Sequence, residues 1–438
     1  MTGPRPHVVV VGAGFGGLEC AKALAGEPVE VTVVDRQNFH TFSPLLYQVA
    51  TSALTPADVV FPVRGVFRRA ANVRVRRGTV TAVDLVGRCV RLDDGAELAY
   101  DFLVLAAGAT TAWFGVTGAE AHALPLYGMP DAVRLRNHVL ERFEAADADP
   151  ALTDEALTFV IVGGGPTGVE MAGAFVELFH AVLAKDFPSL DFGRARILLV
   201  EMGPRVLAGF SETGSQHALE QLRDRGVELR LGAAVTAIDE GSVTLSSGEV
   251  VPTGTVVWAA GVRTSPLVEG LGLERVANGR VVVDPSLRLR DHPEVLVAGD
   301  LAAVPWHDGL LPQVANVAQQ EGRHAGRTVA RLAAGKPARP FRYHHLGFMA
   351  TIGRGAAVAD LPLKVRLTGF LGWMAWLGLH LVRLVGVRNR LSVLLNWAWS
   401  YATFDRGPRL ILEPWLAEPA TPLDPPPGRR SAGPTTPP

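Results

Sequence analysis

His7-Val8-Val9-Val10-Val11-Gly12-Ala13-Gly14-Phe15-Gly16-Gly17-Leu18 runs a β-branched strand into a glycine loop and then into an apolar helical pattern. A continuous β-branched run is expected of a strand buried on both faces of a parallel sheet. A lone G-x-G-x-x-G is weak evidence, but here Gly12, Gly14 and Gly17 follow a strand and open a helix, and a second strand, Glu30–Val34, ends at the acidic Asp35. In that context the three glycines do different things. The first makes the turn, the second lets backbone approach a pyrophosphate, and the third lets helix and strand pack closely. The helix N-terminus adds partial positive charge for the phosphates. Asp35 is placed to accept hydrogen bonds from the hydroxyls of an adenosine ribose.

The same grammar returns at Leu157–Val162, Gly163-Gly164-Gly165-Pro166-Thr167-Gly168, a helix to about Phe179, and a strand Ile197–Val200 ending at Glu201. Gly163, Gly165 and Gly168 repeat the first motif, and Ala181–Phe192 reads as an insertion before the second strand. Two such units in one chain imply two dinucleotides. Glu201 would bind the 2′-hydroxyl of NADH and repel the phosphate of NADPH, while the nearby Arg205 could reach a 2′-phosphate; NADH is the expectation. A later strand, Val295–Ala298, runs into Gly299-Asp300. Such an aspartate in two-dinucleotide flavoproteins meets the ribityl chain or pyrophosphate of FAD, which assigns FAD to the first loop and NADH to the second. The strands Phe102–Ala107 and Val256–Ala260 also end in glycine, at Gly108 and Gly261, which suits chain passing closely over a dinucleotide.

Composition narrows the rest. A chain of 438 residues exceeds one ordinary core, and a formal net charge of −1 argues against nucleic acid as the main partner. Cys20 and Cys89 are too few for a disulfide framework or a four-cysteine metal site, and no C-x-x-C or C-x4-C occurs. Flavin-linked disulfide reductases and sulfide oxidases need such a pair, so both are disfavoured. The twelve histidines form no ligand-spaced set, and no metal is expected. The start, from Met1 into a strand without a charged-then-apolar leader, argues against secretion and for a cytoplasmic location.

Short alternating strands over Val73–Val83 and Cys89–Leu92 suggest an antiparallel layer. From Phe341 to Trp415 the character changes: five of the eight tryptophans lie here, with two uncharged apolar stretches, Leu367–Val382 and Leu391–Phe404. Each is shorter than the roughly 20 residues a spanning helix needs. In the second, Leu391, Leu394, Leu395, Ala398 and Ala402 share one side and Ser392, Asn396, Ser400 and Thr403 the other. Trp373, Trp376, Trp397 and Trp399, with Arg383, Arg388 and Arg390, would suit the headgroup boundary, so an in-plane amphipathic pair is expected; a dimer interface or core hairpin is the alternative. Glu418–Pro438 is Pro-rich and reads as a disordered tail.

Beyond the generic glycines, four stretches carry a specific likeness: Asn38–Ala50 (NFHTFSPLLYQVA), Gly163–Glu170, Phe341–Arg354 and Arg388–Tyr401. On these the chain resembles the type II NADH dehydrogenases, single-subunit NADH:quinone oxidoreductases that pump no protons, over roughly Val8 to Leu412. The resemblance implies an α/β fold with two Rossmann-like dinucleotide-binding domains, for FAD and NADH, followed by a C-terminal amphipathic helical membrane-association region. The expected division is 1–118 and 273–335 for FAD, 119–272 for NADH, 336–416 for membrane association and 417–438 as tail. The FAD set is Gly12, Ala13, Gly14, Phe15, Gly16, Gly17, Asp35, Arg36, Asn38, Val83, Gly108, Gly299, Asp300, Ala318 and Gln319, with the Asn38–Gln48 loop along the flavin and Val83 meeting the adenine through its backbone. The NADH set is Gly163, Gly165, Gly168, Glu201 and Gly261.

The resemblance also places Glu170 where nicotinamide and flavin meet, although a carboxylate early in a helix equally complements the dipole. A helix beginning near Leu311 is similar to the family's quinone-side helix, A-Q-x-A-x-Q. Gln320 matches its second glutamine, whereas Asn316 stands for the first. Leu346 replaces a lysine that many members carry, and the adjacent His344-His345 reads as a surface pair. Glu170 and Gln320 are thus the expected catalytic residues, with Asn316 and Gln320 facing a membrane quinone, menaquinone or ubiquinone. Peripheral attachment to the cytoplasmic face of the cell membrane and a homodimer are further expectations. The rivals are a flavoprotein reductase with a soluble acceptor, a sulfide:quinone oxidoreductase, and a membrane-bound FAD/NADH sensor with little turnover.

Overall fold

A computed structural model describes residues 5–276, 278–403 and 409–411; the tail at 417–438 and the end of the second apolar stretch at Phe404 lie outside them. The fold is α/β and is built on two parallel five-stranded sheets of the same design. In the first, His7–Val11 lies centrally, with Glu30–Asp35 and then Val73–Arg77 on one side and Phe102–Leu105 and then Val295–Val297 on the other. In the second, Thr158–Val162 is central, flanked by Arg196–Glu201 and Val227–Leu231 on one side and Thr255–Trp258 and Leu124–Pro125 on the other. Val8, Val9 and Val10 are fully buried, as are Phe159, Val160 and Ile161, which is why these strands read as unbroken apolar runs. The helices α1 (Phe15–Leu24) and α2 (Pro166–Glu177) follow the two glycine loops.

The alternating segment divides. Val73–Arg77 completes the first parallel sheet, and only Val80–Asp84 joins Cys89–Leu92 and Glu97–Ala99 in an antiparallel layer. Alternation alone marks one exposed face, which an edge strand of a parallel sheet also has. The helix after the second loop does not end near Phe179: it widens into a π-helical stretch, Leu178–Leu183, and runs on through Ala184–Asp186 into the inserted segment. It buries Phe179, Phe187 and Phe192 against Phe143, Phe159 and Phe175. Pro166–Asp186 is also the one helix among the described residues long and apolar enough to cross a bilayer, and it is mostly buried in this core.

A third helix, α3 (Ala315–Ala333), begins four residues later than the sequence suggests, after the extended Val314, and packs along α1. A Cβ on Gly322 would lie 1.9 Å from the Gly16 carbonyl oxygen, so the two backbones touch there. The C-terminal region then forms an antiparallel sheet (Phe348–Gly353, Ala356–Asp360, Arg366–Thr368) and two helices, α4 (Gly369–Arg383) and α5 (Val387–Thr403).

These two helices correct the expected place of the tryptophans. Trp373, Trp376 and Trp397 are buried in the protein core; of the four tryptophans only Trp399, 62% exposed, faces out. The polar side of α5 faces the protein rather than water. Asp58, buried beneath it, accepts hydrogen bonds from Ser392 Oγ (2.6 Å), Asn396 Nδ2 (3.2 Å) and the Thr55 backbone N–H and hydroxyl (2.8 Å each). Asn389 Nδ2 donates to the carbonyls of Ala57, Asp58 and Val60. The apolar side is left outward: Leu391, Leu394 and Leu395 are exposed, as are Phe370, Leu371, Met374 and Val382 on α4. Arg383 turns to Gln319 and Arg390 to the Leu384 carbonyl. Replacing Asn389 by leucine strands three carbonyls and is expected to cost about 2–3 kcal/mol, read as a lower thermal midpoint; an unchanged midpoint would show that this clamp holds nothing.

Candidate active site

Each glycine loop is held by the carboxylate that closes the next strand. Asp35 accepts the Ala13 N–H at 2.6 Å and the Gln37 N–H at 2.7 Å. Glu201 accepts the Gly164 N–H at 2.6 Å and the Gly203 N–H at 2.6 Å. Gly12 and Gly163 both take positive φ, +100° and +110°, and both press on the neighbouring strand: an added Cβ would meet the Ala106 oxygen at 2.3 Å or the Ala259 oxygen at 2.5 Å. Gly17 and Gly168 touch the Gly12 and Gly163 carbonyls in the same way. The middle glycines differ from all of these. At Gly14 and Gly165 an added Cβ meets nothing within 4 Å, and both residues are ordinary extended backbone. Each loop therefore presents open backbone at a helix N-terminus, the cradle a pyrophosphate needs.

Gly299, Asp300 and α3 are brought to the first loop, not the second. A Cβ on Gly16 would lie 3.5 Å from the Ala318 oxygen and 3.7 Å from the Gly299 nitrogen. The Asp300 carboxylate accepts the Tyr127 hydroxyl at 3.3 Å, and Tyr127 Oη accepts the Ala109 N–H beside Gly108. Burial raises the pKa of both Asp300 and Asp35, against the pull of the hydrogen bonds just named and of Arg280 and Arg36. Phe15 packs edge-on to His40 and Phe42, and His40 Nδ1 pairs with the Ala13 carbonyl at 2.9 Å. Burial pushes His40 down to about 4, so it is neutral near pH 7. Asn38 accepts the Val63 N–H through its carbonyl, Arg36 accepts Arg77 in the same way, and Val83 is buried under the antiparallel layer. Gly261, opposite the second loop, lies against exposed Phe114.

Glu170 sits in the second turn of α2. It keeps part of its surface accessible, although protein atoms crowd the carboxyl. Burial pushes it up to about 8; the Thr351 N–H, 3.4 Å from Oε1, opposes this, and so more weakly does the Trp376 indole N–H, which lies near the carboxyl without meeting hydrogen-bond geometry. The quinone-side amides are used differently from expectation. Gln320 exchanges two hydrogen bonds with the backbone of His344, Asn316 accepts the Tyr343 hydroxyl at 3.0 Å, and Gln319 accepts from Arg383. They pin the Tyr343–His344 segment to α3. His345 is no surface group: its ring packs against Trp306, Tyr343 and Phe348, and its Nδ1 is buried without a partner.

Sequence reasoning missed Glu321 and Tyr127. Glu321, 1% exposed, accepts the Gly299 N–H at 2.6 Å, and burial pushes it up to about 8, with Asp300 adding repulsion and Arg280 relief. Its signal was available: a charge at core spacing between Val317 and Ala325 on α3. Tyr127 gave no local sign, because its role depends on contact with Asp300 far along the chain.

A pyridine nucleotide-disulphide oxidoreductase family model matches residues 6–322, and an NDH2 C-terminal domain model matches residues 345–403. The chain is 40% identical over 427 residues to the type II NADH:quinone oxidoreductase NdhA of Mycobacterium tuberculosis, covering 93% of this chain and 90% of that protein. It belongs to the type II NADH:quinone oxidoreductases. A second M. tuberculosis member, Ndh, is 39% identical, with 94% of this chain and 91% of that protein covered. The fold matches NDH2 of Plasmodium falciparum, solved with NADH, at a TM-score of 0.83 and 18% identity, over 91% of this chain and 98% of that one.

The raised carboxyls give this family member a signed pH dependence. Glu170 and Glu321 bind protons more tightly folded than unfolded, so the stability they contribute is full below their ordinary carboxyl range and is lost as pH rises through about 8. The thermal midpoint of the wild type should fall from pH 5 to pH 9, and Glu170→Gln and Glu321→Gln should each flatten that fall. A midpoint slope unchanged in both variants would contradict the assignment.

Proposed function

We propose that the chain is a flavin-dependent NADH:quinone oxidoreductase that carries out NADH + H⁺ + quinone → NAD⁺ + quinol, with FAD on the first loop and NADH on the second. The observation that carries this reading is the duplicated, carboxylate-clamped loop, open at Gly14 and Gly165, with Gly299-Asp300 joined only to the first copy. Tyr127, Asp300, Ala318 and the Asn38–Gln48 loop fit the ribityl and ring end of a flavin. The flavin supplies the two-electron chemistry; the protein supplies position, dryness and proton control. Glu201 faces the adenosine end of the second site, and Arg205 is turned back to the Ala208 carbonyl at 2.9 Å, which favours NADH over its 2′-phosphorylated form. Glu170, held partly protonated near neutrality, is suited to deliver or store a proton during quinone reduction. Asn316 and Gln320 act on the quinone side by fixing the Tyr343–His344 wall. In this reading the reaction is not coupled to proton movement across a membrane.

The acceptor is a bilayer quinone, menaquinone or ubiquinone, reached from the cytoplasmic face through the outward apolar sides of α4 and α5. Such a contiguous exposed apolar surface marks a membrane or partner contact; a homodimer through the same region is the competing use.

Anaerobic addition of NADH should bleach the visible flavin band, and a short-chain quinone should restore it. Bleaching without return would remove the quinone from the reaction. Separately, Leu391→Ser, Leu394→Ser and Leu395→Ser together should release a folded, flavin-loaded protein from membranes, because these side chains are exposed; unchanged partition would contradict membrane attachment through α5.

A further inference from the structure

A chain of buried hydrogen bonds leads from α5 toward Glu170. The Trp397 indole N–H donates to Gln48 Oε1 at 2.8 Å, and Gln48 Nε2 donates to Tyr47 Oη at 2.8 Å; all three side chains are buried. An indole nitrogen only donates, so the amide orientation is fixed, since the reverse would set two N–H groups face to face. Tyr47 Oη is therefore an acceptor in this bond, and its own O–H hydrogen is directed elsewhere. Among the described residues no acceptor takes it.

The surroundings of that hydroxyl are specific. The Tyr47 ring packs edge-on to Trp376, with centroids 6.2 Å apart. The buried Trp376 Nε1–H also has no hydrogen-bond partner, and it lies near the Glu170 carboxyl. The Glu170 carboxylate raises the Tyr47 hydroxyl more than Glu177 does, and Glu177 already accepts the Arg354 N–H. Two buried donors without acceptors thus flank one carboxyl. Native interiors rarely leave such donors unmet, and where they do, a bound group commonly meets them. Burial also raises the Tyr47 hydroxyl well above the ordinary phenol range, so it stays a donor and is not itself the acid.

We propose that Tyr47 donates a hydrogen bond to a carbonyl oxygen of the electron acceptor beside Glu170, and that Gln48 and Trp397 are positioning residues that aim it. The inference rests on the quinone reading given above. It ties the acceptor site to α5, because the last residue in the relay belongs to the helix whose outer side is apolar. A carbonyl acceptor fits both donors, and as it gains electrons its oxygens become better acceptors, so the bond tightens as reduction proceeds.

The test uses the flavin-loaded full chain, NADH and a short-chain benzoquinone in stopped flow. Losing one hydrogen bond of this kind should slow quinone-driven return of flavin colour in Tyr47→Phe, or raise the quinone KM, by about 3- to 10-fold. The same variant should slow NADH-driven bleaching far less. Trp397→Phe should raise the quinone KM more than it lowers kcat, because the donor is present but poorly aimed. Equal slowing of both half-reactions, or a wild-type quinone step in Tyr47→Phe, overturns the assignment. If the wild-type protein bleaches but no quinone restores the colour, the quinone reading itself fails.

Discussion

The hydrogen bond from a loop N–H to a strand-end carboxylate, Ala13 to Asp35 and again Gly164 to Glu201, each 2.6 Å long, fixes the geometry on which the rest of the molecule depends. It links the turn after one strand to the end of the next, so loop, helix and strand pair move as one piece. The bond also places a carboxylate close to the helix N-terminus, where the dipole stabilises negative charge. With the loop held, the middle glycine faces outward and offers backbone N–H groups to a diphosphate. The chain uses this device twice.

Burial sets the protonation of several groups around these loops. Desolvation raises Glu170 and Glu321, keeps His40 neutral and holds the Tyr47 proton in place. The two raised acids have different company. Glu321 is anchored to the Gly299 N–H and repelled by Asp300, a pairing that secures the second limb of the first site. Glu170 has only weak donors, which leaves it available to a substrate.

The fold was legible because its signals are local: a β-branched run, three glycines at fixed spacing and an acid at the next strand's end. The approach of Gly299-Asp300 to the first loop was also expected from the sequence, and Gly16 lies against Ala318 and Gly299. In the C-terminal helices the two-sided pattern of α5 was legible, but the burial of Trp373, Trp376 and Trp397 was not. Periodicity separates Leu391, Leu394 and Leu395 from Ser392 and Asn396, yet it does not say which side meets protein. The buried Asp58 decides it, and its contact with Ser392 joins residues more than 300 positions apart. Tyr127 and the Trp397–Gln48–Tyr47 relay were hidden for the same reason, whereas Glu321 showed as a charge at core spacing on α3. Asn316 and Gln320 were found by motif, but their hydrogen bonds go to Tyr343 and His344.

The account stands on the two cradles being distinct, with flavin in the first and nicotinamide dinucleotide in the second. Gly14 and Gly165 permit a clean test, since both are ordinary extended backbone and a Cβ added at either meets no protein atom within 4 Å. The measurement is flavin content and NADH-driven bleaching of purified Gly14→Val and Gly165→Val. The account predicts that Gly14→Val folds without flavin, and that Gly165→Val keeps its flavin but is not bleached by NADH. Flavin lost from Gly165→Val and kept by Gly14→Val, or both variants bleaching like the wild type, would contradict it.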